Sequence, residues 1–365
     1  MRFMMSQGFE VLAASAEGKE IDDVTNYEGC PHVVIPLTRT ISPLKDMKSL
    51  LAMYRLIRRY KPDIIHTHTP KAGLIGMWAS WLARTPIRLH TIAGMPLMET
   101  QGAKRRLLVW IEQLTHFFAT GIYPNSRGLM DFYRSAIKKK SNKLKVIGGG
   151  SSNGIDTSFF QANEEIKQKA EALRNSMNIP DDALVFIFVG RLVRDKGIHE
   201  LIRAFKSLAD QHPHLHLLLL GDEEAELDPL DADVIEFMKN HARIHLAGWQ
   251  NDIRPYLELS DALAFPSYRE GFPNVPMQAG CFGLPSIVSN INGCNEIVVE
   301  GENGLIIPVK DEEALKTAMG RLIEDQALIS KLGAKARAMI VERYDQKYIW
   351  NEILNEYRQL LQIHV

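Results

Sequence analysis

Phe188-Val189-Gly190-Arg191-Leu192-Val193-Arg194-Asp195-Lys196-Gly197 is the stretch on which the reading of this chain turns. An apolar run of strand character ends at a glycine, Arg191 and Lys196 bracket a loop, and a helical pattern opens at Gly197. Gly190 leaves room for a ligand to approach the backbone. Arg191 can fork onto phosphate oxygens, Lys196 adds a point charge, and the first turn of the helix adds amide donors. Two cations five positions apart on a strand-to-helix loop suit a diphosphate. Taken alone, a solvated basic loop would look the same.

Outward from that loop, short apolar runs alternate with amphipathic stretches. Downstream and upstream of it, residues 184–189, 215–220, 243–246, 262–265 and 286–288 read as strands, and residues 310–365 as mostly helical. Nearer the start, strands are expected at 9–14, 32–36, 63–66, 87–92 and 120–124, with helices at 45–60, 72–84 and 104–118. Alternation of this kind builds parallel sheets covered on both faces. Between the two series, Ile147-Gly148-Gly149-Gly150-Ser151-Ser152-Asn153-Gly154 breaks the pattern and reads as a flexible linker. The expected fold class is α/β, with two Rossmann-like doubly wound domains facing across a cleft. Their bounds are 1–150 and 151–345, followed by a closing helix over 346–365. Ligands of such sheets lie at the carboxyl ends of the strands, so the cleft is the expected site.

A second constellation follows the strand at 262–265: Pro266-Ser267-Tyr268-Arg269-Glu270-Gly271-Phe272-Pro273-Asn274-Val275-Pro276-Met277-Gln278. Prolines set a helix start, which puts Glu270 in the loop and Gln278 about one turn into the helix. A carboxylate beside free helix amides can receive sugar hydroxyls while the amides hold an anion. A capping acid on a surface helix is the plainer alternative.

Together these two loops, about 80 residues apart, resemble the donor site of retaining glycosyltransferase family 4, a GT-B family that uses nucleotide sugars. Gly221-Asp222, Leu246-Ala247-Gly248-Trp249, Asn292-Gly293-Cys294-Asn295-Glu296, Asn303-Gly304-Leu305 and Asn153-Gly154-Ile155-Asp156 are similar as well. The resemblance implies that Arg191 and Lys196, beside Gly190, hold the donor diphosphate. It implies Glu270 as the catalytic carboxylate on the donor sugar, with Gly271, Phe272, Pro273 and Asn274 around the phosphates. Gly248 and Trp249 would border the base, and Gln278 and Glu296 complete the donor set. It implies retention of configuration and neither cofactor nor metal, since Arg and Lys replace the ion. Three departures stand out. The second glutamate of the family's pair is Gln278, which can still bond ribose hydroxyls without the charge-assisted share. A histidine often found before the glycine of Ala93-Gly94 is replaced by Ala93, with His90 three positions away. Family members also carry one strand–loop–helix unit ahead of the stretch like Gln7-Gly8-Phe9, so the functional polypeptide is expected to extend upstream of Met1.

Composition fits a globular protein: 45% of residues are hydrophobic and 24% charged, and no apolar run nears the ~20 residues of a membrane span. Three unevenly spaced cysteines make neither a disulfide framework nor a zinc site and fit a reducing cytoplasm. Residues 1–156 carry 22 Lys and Arg against 12 Asp and Glu, a balance of +10, while the remainder stands at −11. A basic half suggests an anionic partner, with nucleic acid disfavoured because no base-reading motif accompanies it. In that half His66-Thr67-His68-Thr69-Pro70-Lys71 reads as a loop with His68 and Lys71 near an acceptor, and His90 is a further acceptor-side candidate. Lys104-Arg105-Arg106-Leu107-Leu108-Val109-Trp110-Ile111 fits a membrane-surface helix or a core face with a solvated side. Lys138-Lys139-Lys140 reads as a solvated turn.

The expected activity is transfer of a hexose or N-acetylhexosamine from a UDP-sugar to a lipid-diphosphate-linked or glycan acceptor. Surface-polysaccharide assembly at the inner face of the cytoplasmic membrane is the expected setting. A nucleotide-sugar epimerase of the same fold would instead convert donor without acceptor. A non-catalytic nucleotide-sugar-binding protein would bind UDP and transfer nothing.

Overall fold

The computed structural model describes residues 1–38, 42–98, 100–138, 142–224 and 228–364, without the side chain of residue 364. Lys139 and Lys140 lie outside the described residues. The chain divides into two compact units, Met1–Asn153 with Tyr348–Val365, and Gly154–Lys347.

The second unit holds one six-stranded parallel sheet. Its strands are β6 (Leu184–Val189), β7 (Leu215–Leu220), β8 (Ile244–Gly248), β9 (Ala262–Phe265), β10 (Ser286–Ser289) and β11 (Gly304–Ile307). Their spatial order is β11-β10-β9-β6-β7-β8, the doubly wound order with its reversal between β6 and β9. Central strands of such a sheet are covered on both faces, which is why β6 and β7 are near-continuous apolar runs. On one face the helix Ile198–Ala209 buries Ile198, Leu201, Ile202, Phe205 and Leu208, a helical spacing of three and four. Nearly all the buried apolar residues of this unit fall in one cluster.

In the first unit the strands are β1 (Ala13–Ser15), β2 (His32–Val34), β3 (Ile64–Thr67), β4 (Ile87–Ile92) and β5 (Gly121–Pro124). All pairings are parallel, but the strands make two separate sheets, β1-β2 and β3-β4-β5. A cavity of about 2240 Å³ borders both, lined by residues 8–12 and 14–16 on one side and 60–72 on the other. The core is correspondingly split into three clusters. The helix Gln346–His364 packs Ile353, Tyr357, Leu360 and Leu361 against one of them, built on Ile87, Leu89, Tyr123 and Ile147.

Two expectations differ locally. The first strand is shorter and later than residues 9–14, and Gly304–Ile307 adds a strand absent from the sequence reading. The glycine-rich segment ends where the two units meet in sequence, Asn153 and Gly154, and it is anchored along its length: Ser151 donates its amide to the Asn125 carbonyl at 2.7 Å, and Gly148 lies against Ile349 and Tyr348.

Candidate donor site

The two sequence constellations follow β6 and β9, the strands on either side of the reversal in the second sheet. At that point neighbouring loops diverge to opposite faces and leave a crevice at the strand ends. After β6 the chain makes a short 3-10 turn, Arg194–Lys196, and enters the Ile198–Ala209 helix through Gly197. Gly197 has φ +73°, and a Cβ there would collide with the Pro266 carbonyl, so the two loops touch only because this residue is glycine. The Tyr268 amide donates to the Asp195 carbonyl at 2.8 Å, and the Arg269 guanidinium reaches the Asp195 carboxylate at 2.8 and 2.9 Å.

Lys196 and Glu270 meet at the centre of this arrangement. The ammonium lies 2.5 Å from Glu270 Oε1, and the side chains are 16% and 15% exposed. Ser267 donates its hydroxyl to the same carboxylate oxygen at 2.9 Å. Arg191 points elsewhere, to Glu224 at 2.7 Å, with the two side chains 48% and 37% exposed. The helix Asn274–Cys281 begins right after Gly271, Phe272 and Pro273, and Gln278 stands one turn along it, half-buried. Asn292 donates to the Gly271 carbonyl at 2.5 Å, and Gly293, φ +76°, leaves no room for a Cβ against the same carbonyl. That contact fixes the loop of Glu270 to the short helix Cys294–Ile297, which carries Glu296. Cys294 beneath is fully buried, and burial, then the charge of Glu270, pushes its thiol well up. Farther along the strand ends, Asp222 accepts the Trp249 amide at 3.1 Å and the Gly221 amide donates to the Gly248 carbonyl at 2.8 Å. The Trp249 ring is exposed.

The comparisons cover both units. Residues 1–150 match the family described as "Glycosyl transferase 4-like domain", and residues 169–339 match "Glycosyl transferases group 1". The chain belongs to the GT4-type glycosyltransferases. It is 34% identical over 362 residues to the capsular polysaccharide biosynthesis glycosyltransferase CapM of Staphylococcus aureus, covering 99% of this chain and 93% of that protein. An Escherichia coli UDP-Gal:alpha-D-GlcNAc-diphosphoundecaprenol alpha-1,3-galactosyltransferase is 30% identical, covering 88% of this chain and 82% of that one. Among solved structures, Anabaena Alr3699/HepE in complex with UDP superposes with a TM-score of 0.80 at 20% identity, covering 96% of this chain and all of that one. These structural neighbours have the GT-B fold, and so does this chain: α/β, with two Rossmann-like domains.

In this GT4-type enzyme the acceptor-side candidates lie on the first unit. His68 follows β3, exposed, and stacks on His66 with ring centroids 4.3 Å apart. Lys71 opens the helix Pro70–Leu82, paired with Asp46 at 2.6 Å and bonded to the Thr38 hydroxyl at 2.6 Å. Both side chains border the cavity beside β3. His90 is fully buried in β4, its Nδ1 bonded to the Thr67 hydroxyl at 2.8 Å and its ring against Gly73. Burial, then the neighbouring His68, lowers it to about 4. This position gives His90 a packing role and removes it from solvent. His66, not a candidate from sequence, is held on both nitrogens, by Tyr357 at 2.5 Å and Thr91 at 2.7 Å. Ser267 and Glu224 were likewise not singled out. Ser267 had one weak signal, its place three residues before Glu270 on the same loop; Glu224 had none.

Proposed function

We propose that the chain transfers a hexose or N-acetylhexosamine from a UDP-sugar to a lipid-linked or glycan acceptor, with retention of configuration. The setting is surface-polysaccharide assembly at the inner face of the cytoplasmic membrane. The observation that carries this reading is the Lys196–Glu270–Ser267 group at the reversal of the second sheet. An ammonium has three protons, and Glu270 engages one, so Lys196 can meet a phosphate without releasing the carboxylate. The exposed Arg191–Glu224 pair is worth about 0–1 kcal/mol, so swinging Arg191 onto a diphosphate costs little. Glu270 then faces the sugar, the amides at the start of Asn274–Cys281 receive phosphate oxygens, and Gln278, Glu296, Gly248 and Trp249 take the nucleoside end.

Chemistry on this reading is a front-face displacement: the acceptor oxygen bonds the anomeric carbon as the diphosphate leaves, and the diphosphate takes the acceptor proton. The protein supplies orientation and charge, not a covalent nucleophile, and Arg191 with Lys196 stands in for a metal. Support for the donor comes from the UDP-bound neighbour, and for the acceptor from the Escherichia coli relative named for a diphosphoundecaprenol-linked sugar. The positive balance of residues 1–156 suits such an anionic acceptor.

The test is a thermal-shift screen of nucleotide sugars, followed by transfer to a polyprenyl-diphosphate-linked N-acetylhexosamine in excess EDTA. An α-linked product from a UDP-α-sugar is expected. Donor conversion without acceptor would mark an epimerase, and UDP binding without transfer a non-catalytic protein. Activity lost in EDTA and restored by Mn²⁺ would overturn the metal-independent reading.

A further inference from the structure

Two ion pairs of opposite charge order join the donor loops. The loop after β6 runs Asp195-Lys196 and the loop after β9 runs Arg269-Glu270. Lys196 meets Glu270, and one residue earlier on each loop Arg269 meets Asp195, with Nε and Nη2 both on Asp195 Oδ2. The acid of this outer pair is well inside the surface: its side chain is 20% exposed, against 54% for Arg269. Asp195 Oδ1 is buried with no hydrogen-bond partner among the described residues, so Arg269 and not water holds the carboxylate. The backbone of Asp195 is fastened as well. Its carbonyl accepts the Tyr268 amide at 2.8 Å, and its own amide donates to Asp228 Oδ2 at 2.6 Å, on the loop after β7. One residue thus ties three strand-end loops together, and the proposed chemistry gives it no task.

We propose that Asp195 is a positioning residue for the donor diphosphate, acting through an Arg269 clasp that keeps Lys196 and Glu270 in register. Under the proposed function, on which this role rests, a diphosphate draws on Lys196 and the inner pair is shared with the ligand. The outer pair touches no ligand and is left intact to hold the loops at their spacing. A clasp of this kind raises affinity by removing the cost of ordering the loops on binding. Its sign sets it apart from simple charge. A carboxylate near a diphosphate repels it, so on electrostatics alone the loss of Asp195 would tighten binding. A clasp requires the reverse.

Calorimetry with UDP on the full chain reads this without a sugar or an acceptor. Asp195→Asn and Arg269→Gln should each weaken UDP binding by about tenfold, and the double variant by no more than either alone, because each change already opens the clasp. Lys196→Ala, measured beside them, should weaken binding as well. Thermal unfolding of the unliganded variants checks that each is folded. A purely structural Asp195 would lower the melting temperature and leave the UDP affinity of the folded chain unchanged. That outcome would overturn the clasp while Lys196→Ala still marks the donor site. So would tighter UDP binding by Asp195→Asn, or losses that add in the double variant. If Lys196→Ala binds UDP as the parent does, the donor site and the clasp fall together.

Discussion

The two units are written in the same strand order, but only one joins its strands into a single sheet. In the second, β8-β7-β6 continues without a break into β9-β10-β11. The first repeats this as β2-β1 and β3-β4-β5, with no counterpart of β6 among the described residues. The difference propagates into packing: one apolar cluster against three, and a cavity where the sixth strand's neighbours face each other. It also bears on chemistry, since β6 is the strand that delivers Gly190, Arg191 and Lys196 to their loop. A doubly wound sheet thus gains its core and its ligand loop from the same central strand. Among the described residues, β1 and β3 instead end their sheets at edges that border the cavity.

The largest effect that would sharpen the comparison is to supply such a strand. Expressing the chain with in-frame codons from upstream of Met1 should, if they encode a strand–loop–helix unit, raise the stability of the first unit on the order of 5 kcal/mol. Each new ladder bond contributes about 0.5–1.5 kcal/mol, with apolar burial added. Hydrogen exchange should slow in β1 and β3 and stay unchanged in β6 to β11. Equal exchange in β1 and β3 for both forms would show that the two edges do not accept a strand.

The same contrast explains what the sequence made legible. Every strand of the second sheet except β11 was readable, because buried central strands are continuous apolar runs; Asn303-Gly304 masked β11 by looking like a turn. Residues 9–14 carry an equally good apolar signal, yet β1 covers Ala13–Ser15. Periodicity reports which face a residue buries and is silent on whether a neighbouring strand exists. Lys196 and Glu270 were legible as chemistry on two strand-end loops, whereas their direct contact across 74 residues was not. The His66–Tyr357 bond, 291 residues apart, has no local signature at all, and Ser267 has only its place three residues before Glu270. The glycine-rich stretch was legible as the boundary between the units, which falls at Asn153 and Gly154, but not its anchoring, since the partners of Gly148 and Ser151, Ile349 and Asn125, are distant in sequence.

A smaller effect separates the units by pH. Glu112 borders the cavity of the first unit, with Oε2 lacking a hydrogen-bond partner among the described residues, and burial raises its carboxyl to about 7. The folded chain therefore holds a proton that the unfolded chain gives up near 4.5. From there to pH 7 the folded state binds more protons, and stability falls as pH rises, by about 3 kcal/mol at roughly 1.4 per unit. His90 acts in the opposite sense. Lowered to about 4 when folded, it adds stability as pH climbs from there to 6.5. Glu112→Gln removes only the first effect, so its advantage over the parent should grow between pH 5 and 7.5 in urea titrations of the first unit. A constant difference across that range would show that Glu112 ionises freely in the fold.

The smallest effect lies within the donor loop and distinguishes its two cations. Arg191 is exposed and paired with an exposed Glu224, so Arg191→Ala should leave folding unchanged. Loss of one charge-assisted phosphate contact is worth about 1.5–3 kcal/mol, which is roughly a tenfold to hundredfold weaker Kd for UDP by calorimetry. Lys196→Ala removes a comparable contact but also strips Glu270 of its half-buried partner, leaving the carboxylate to Ser267 alone among these contacts. It should therefore cost stability in the second unit as well as affinity, while Lys196→Arg restores the charge and part of both. Glu224→Ala supplies the control: it frees Arg191 without touching phosphate, so UDP affinity should hold or rise slightly. If Arg191→Ala and Lys196→Ala both bind UDP as tightly as the parent, the strand-end loop after β6 is not the diphosphate site. The second unit would then have lost the functional half of its advantage over the first.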